Sequence, residues 1–146
     1  MNKKAALISL TVLACVLRTA GFAQPSNSSN EEIIRKLFAT FNRHDIDGLA
    51  AFYAPDAYLM SSDFPEPRHG PEGIRKTYSE LFAELPNVHD DLKTVITNRD
   101  EVAVEFVSTW DISGKLGSGR LEIATFFKLR RGKIISDVSY FNVPSK

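Results

Sequence analysis

Asp137 is the residue of this chain best suited to moving a proton. It sits in an alternating stretch near the C-terminus, with Phe126 and Phe141 as expected companions on one strand face. A carboxyl enclosed by apolar side chains loses hydration, so its charged form is penalised and its pKa rises toward neutrality. General acid and base exchange works best there. The competing reading is structural: Lys128, a diagonal neighbour on the same face, would pair with Asp137 and pull its pKa down. Asp63 and His69 flank a proline-rich loop and are the other two catalytic candidates, Asp63 as a base and His69 as a group that titrates near neutrality. Both also fit plain roles, a turn residue and packing before a helix. Phe106, Ser108 and Trp110 alternate along one strand and would offer a flat apolar ligand a wall with one hydroxyl.

Other chemistries lack their residues. Cys15 is the only cysteine, so nothing downstream of it forms a disulfide or acts as a thiol nucleophile. His44 and His89 have no partners at metal-ligand spacing, and no HExxH pattern occurs. The Gly114 to Gly119 stretch joins two strands instead of opening a helix, which is wrong for a phosphate loop. No nucleophile elbow supports a Ser-His-Asp triad. No metal or cofactor is expected. The 18 basic and 18 acidic residues balance, which argues against a nucleic-acid groove.

The elements that must position these groups are marked by period and punctuation. Asn30 caps an expected helix with Glu31 and Glu32 in its first turn and Ile33, Ile34, Leu37, Phe38 and Phe41 on one face. Asp45 caps a short second helix that packs Ile46, Leu49 and Phe52 and stops at Pro55, followed by a strand. A third helix runs from Pro71 to Leu85, with Ile74, Tyr78, Leu81 and Phe82 on its buried stripe. From Asp90 the period becomes two. Strands are expected at 90–98, 102–112, 120–130 and 133–142 as an antiparallel meander. A two-residue turn at Arg131-Gly132 sets Arg130 opposite Lys133. Extended without interruption, that register sets Phe126 opposite Asp137, Ala124 opposite Ser139 and Glu122 opposite Phe141.

The N-terminus reads as a targeting segment: a basic start (Asn2-Lys3-Lys4), an apolar run from Ala5 to Leu17, and small residues at Gly21-Phe22-Ala23. The run is too short to span a bilayer. Cleavage after Ala23 would release a periplasmic or secreted protein beginning at Gln24. The alternative is a lipoprotein anchored through Cys15. The resulting division is a signal peptide at 1–23, a flexible spacer at 24–30 and one domain at 31–143.

The segment NRHDIDGLAAFYAPDAYLMSSDFPEPRHGPEGI, Asn42 to Ile74, contains D-x-x-x-L-x-x-x-Y-x-x-D-A (Asp45 to Ala57) and then G-x-x-x-I (Gly70 to Ile74). It resembles the nuclear transport factor 2-like superfamily, which includes ketosteroid isomerases and SnoaL-like polyketide cyclases. The resemblance implies an α+β fold: a cone-shaped curved antiparallel sheet wrapped on N-terminal helices, a cystatin-like roll enclosing a pocket. It implies a hydrophobic small-molecule partner and homodimerisation through the sheet. Aligning the glycine at Gly132 puts the family's pocket-lining positions on Ala124, Asp137 and Phe141. The same face would then carry Glu122, Phe126 and Ser139, leaving Ile123, Thr125, Phe127, Val138 and Tyr140 to a dimer interface. The isomerase's two catalytic aspartates fall on Ala124 and Ser61 and its tyrosine near Leu37, so that mechanism loses its groups. Ser61 remains a pocket position. Two functions stay open: an exported binding protein with an apolar pocket, or a cofactor-independent isomerase, cyclase or dehydratase using Asp137.

Overall fold

The structure, a computed structural model, describes residues 27–111 and 117–141. The expected leader, Cys15 and part of the Gly114 to Gly119 turn lie outside the described residues. Helix α1 spans Asn27–Phe41, α2 Ile46–Ala51 and α3 Gly70–Glu84; strands are β1 Tyr53–Ser61, β2 Arg68–His69, β3 His89–Asn98, β4 Glu101–Trp110, β5 Gly119–Arg130 and β6 Lys133–Tyr140. One sheet carries all six strands in the order β2-β1-β6-β5-β4-β3. The expected α+β roll is the fold found. Helix α1 packs on β3 and β4, and α3 on β1 and β2, so both cover one face of the sheet and bury Ile34, Leu37, Leu49, Ile74, Val102, Phe127 and Ile134.

Local signals explain most boundaries. Asp45 caps α2 by accepting the Gly48 N–H at 2.9 Å. Helix α1, however, is already helical at Asn27. Asn30 therefore lies inside it, buried, and its side chain donates to the Arg99 carbonyl at 2.7 Å instead of capping. Helix α2 ends at Ala51, so Pro55 does not stop it. Pro55 falls in β1, where the pairing with β6 shifts register between Tyr53 and Tyr58; an irregularity is where a strand tolerates a residue without an N–H. The proline-rich loop ends in a short strand that sequence reading left out, β2, paired with β1 through Tyr58 and His69. Gly70 follows at φ +61°, where an added Cβ would meet the Pro55 carbonyl at 2.9 Å, so glycine is required at this corner.

One irregularity in the last hairpin overturns the expected faces. The turn at Arg131-Gly132 forms, both residues have positive φ, and Arg130 does pair with Lys133. Between Lys128 and Leu129 the register then shifts, because Leu129 pairs with Ile134 while Lys128 pairs with Ser136 and Ile135 is passed over. A one-residue slip exchanges the faces of everything beyond it. Asp137 consequently faces Phe127 instead of Phe126, and Ser139 faces Thr125 instead of Ala124. Leu121, Ile123, Thr125 and Phe127 point inward. Glu122, Ala124 and Phe126 are exposed on the outer face. The interface expected at Ile123, Thr125 and Phe127 is corrected with them, since Thr125 and Phe127 are buried in the interior. Among the described residues, the exposed large apolar side chains of the outer face are Tyr58, Ile96, Phe126 and Tyr140. Phe126 meets Tyr140 edge-on at 6.1 Å.

Candidate functional site

The concave side of the sheet and the three helices enclose a cavity of about 580 Å³, within the usual range for small-molecule sites. Its walls follow from the pairing. One row across the sheet is Leu59, Asp137, Phe127; the next is Ser61, Ser139, Thr125; further along come Ile123 with Phe106, Leu121 with Ser108 and Asp90, and Gly119 with Trp110. Helices α1 and α3 close the space with Leu37, Phe38, Phe41, Tyr78 and Leu81.

Asp137 lies inside this cavity and is 3 % exposed. The Tyr53 hydroxyl donates to its Oδ2 at 2.6 Å. Burial pushes the carboxyl up to about 7, against the downward pull of that hydrogen bond. Burial and the Asp137 charge in turn raise Tyr53 well above the ordinary phenol value, and Tyr78 is raised by the same two causes. Both phenols thus remain donors at any working pH. Lys128 is not the partner of Asp137: it pairs with Glu101 on the outer face at 3.6 Å.

The other candidates divide by position. Ser61, Phe106, Ser108, Trp110, Ser139 and Phe141 line the cavity as expected. The Ser139 hydroxyl is 2.7 Å from that of Thr125, and Phe106 meets Phe38 edge-on at 4.9 Å. Trp110 depends on Gly119, whose hypothetical Cβ would stand 1.9 Å from the indole ring. Asp63 lines the cavity at its exposed margin, near Phe64 and Arg68. Arg68 lies over the Phe64 ring at 5.2 Å. His69 is exposed, precedes α3 in extended conformation and does not line the cavity. Glu122, Ala124 and Phe126 do not reach it either, for the register reason above; Glu122 instead pairs with Arg120 at 2.8 Å. His44 stacks on Phe82 at 4.2 Å and contacts the Val88 carbonyl through Nε2. Among the described residues no group of three or more His, Cys, Asp or Glu is arranged to hold a metal ion.

Two contributors escaped sequence reading. Tyr53 is a core residue, and its bond to Asp137 spans 84 positions and leaves no local trace. Asp90 is a second buried cavity carboxyl, pushed up to about 7 by burial and eased down by a hydrogen bond from Ser108. Its signal was available, since strand alternation puts Asp90 on the same face as Val88 and Leu92.

Solved structures share this architecture. A protein of ketosteroid isomerase-like fold from Catenulispora acidiphila, in complex with trimethylamine, is 23% identical, with 77% of this chain and 86% of that one covered and a TM-score of 0.72. A protein from Jannaschia sp. CCS1 assigned as a SnoaL-like polyketide cyclase is 20% identical over 81% of this chain and 88% of its own, with a TM-score of 0.71. TerC, co-crystallised with polyporic acid, is 20% identical over 78% and 92%, with a TM-score of 0.69. Such likeness is a statement about the fold. Residues 34–136, from the buried face of α1 to the strand that carries the central carboxyl, match the model of the SnoaL-like domain, and the chain belongs to that family.

Proposed function

We propose that this protein binds a hydrophobic small molecule in its cavity and exchanges a proton with it through Asp137. The observation that carries the reading is a buried carboxyl near pKa 7 inside an apolar cavity, held by the Tyr53 hydroxyl. Burying an ionisable acid opposes folding, and a group tuned to neutrality can take a proton from one ligand atom and return it to another. Such an exchange is common to isomerisation, ring closure and loss of water. One structural neighbour is in complex with trimethylamine and another was co-crystallised with polyporic acid, which supports the binding half of the reading.

Native mass spectrometry of the purified protein tests it. The expected result is a retained apolar ligand that, once released and run on chromatography beside mass detection, is converted to an isomer, a cyclised form or a dehydrated product by wild type and stays unconverted with Asp137→Asn. Retention of an unchanged ligand by wild type would support binding without turnover. An empty protein that captures nothing from an organic extract of its source cells would overturn both halves.

Two further proposals concern setting. Export rests on the N-terminal pattern, and N-terminal sequencing of periplasmic or secreted protein should begin at Gln24; a lipid on Cys15 would favour the anchored alternative. Homodimerisation rests on the outer sheet face, where the register aligns Met60, Val138 and Phe126 across three strands beside Tyr140.

A further inference from the structure

One carboxyl oxygen of Asp90 has no hydrogen-bond partner among the described residues. Its backbone is clamped by Asn42 at the end of α1, which donates to the Asp90 carbonyl at 2.9 Å and accepts its N–H at 2.8 Å. Ser108, its partner across β3 and β4, hydrogen-bonds the carboxyl. Oδ1 is nevertheless buried and unpartnered, and the residue, 8 % exposed, lines the cavity. Buried carboxyl oxygens are normally satisfied, so a cavity-lining carboxyl with one oxygen left over is an incomplete site. Asp90 also stands apart from Asp137. Along β5 the row through Asp90 crosses at Leu121 and the row through Asp137 at Phe127, with the inward-facing Ile123 and Thr125 between them.

We propose that Asp90 is a second ligand-binding group of this cavity, one whose carboxyl turns to hydrogen-bond a hydroxyl on an otherwise apolar ligand. The proposal rests on the cavity being a ligand site and adds the chemical class. A hydroxyl suits the position because it donates to an ionised carboxylate and accepts from a protonated one. Apolar walls on either side, Leu121, Ile123, Phe106 and Trp110, take the rest of the molecule. Asp90 thereby selects and orients the ligand, while proton exchange stays with Asp137.

The probes are 2-naphthol and naphthalene, which differ by the hydroxyl alone, titrated calorimetrically into the full protein and its variants. The ratio of 2-naphthol to naphthalene affinity should be about tenfold higher in wild type than in Asp90→Ala, the usual worth of a hydrogen bond to a charged group. Asp90→Leu, which refills the volume and keeps the test valid if the alanine variant unfolds, should show the same loss. Naphthalene affinity should hold in both, and Asp137→Asn should keep the wild-type ratio. A ratio that survives both Asp90 variants, or collapses only in Asp137→Asn, would overturn the assignment while leaving the cavity a binding site. Wild type that binds neither probe would overturn the cavity reading itself.

Discussion

Tyr53 and Asp137 are joined by a 2.6 Å hydrogen bond between a residue at the start of β1 and one in the middle of β6. The parallel pairing of those two strands places them together. The bond gives the buried carboxyl one satisfied oxygen, and burial still raises it from an ordinary 3.8 to about 7.

A pH dependence of stability follows. Below the unfolded-state value of 3.8 both states hold the proton, and Asp137 costs nothing as an ion. Between 3.8 and about 7 the folded state keeps a proton that the unfolded state releases, so stability falls as pH rises, and above about 7 the loss levels off. Asp137→Asn should therefore stabilise the protein by roughly 2–4 kcal/mol at pH 8, with the gain vanishing near pH 3. Urea denaturation at the two pH values checks this. An asparagine variant less stable than wild type at pH 8 would contradict it.

Tyr53→Phe removes the donor and leaves Asp137 Oδ2 without that partner. Since the bond pulls the pKa down, its loss should move the Asp137 titration further upward, measurable by carbon NMR on labelled aspartate. Stability above pH 7 should drop by about 1–3 kcal/mol, and by less in acid, where the carboxyl is neutral. An unmoved titration would show that the hydroxyl is not coupled to the carboxyl in solution.

Gly119→Ala tests the wall of the cavity. The new methyl would overlap the Trp110 ring, and overpacking of this kind costs about 1–3 kcal/mol. Trp110 is the one tryptophan in the chain, so displacement toward solvent should shift the emission maximum to the red. Unchanged emission and unchanged melting temperature together would mean that the indole does not lie across Gly119.

Phe126→Glu tests the outer face. Phe126 is 53 % exposed, so the fold of the single chain should tolerate the charge with a change in stability within about 0.5 kcal/mol. The dimer should not tolerate it. Sedimentation velocity at micromolar concentration should give a wild-type dimer and a variant monomer with wild-type circular dichroism. A wild-type monomer would remove the outer face from consideration as a self-association surface.

Several features of this protein were decided within a few residues of chain. Asp45 caps α2 because its side chain reaches an N–H three positions on, and Arg131-Gly132 turns because both residues accept positive φ. The change from helical to alternating period near Asp90 separates helices from sheet for the same local reason. The motif from Asp45 to Ile74 identifies the family, since it records how α2, β1 and α3 follow one another. Asp137 was legible as an inward carboxyl, and the alternation around Val88 and Leu92 would have shown Asp90 as another. Which face of β5 met them was not legible. That depended on Ile135 being passed over in the pairing with β6, and one unpaired residue reverses every side chain beyond it while leaving the alternating pattern intact. The inward choice of Thr125 and Phe127 over Ala124 and Phe126 follows from how the whole sheet curls onto α1 and α3. The bond from Tyr53 to Asp137 and the unpartnered oxygen of Asp90 arise at the same level, where strands distant in sequence are brought side by side and burial, not spacing, sets the chemistry of a carboxyl.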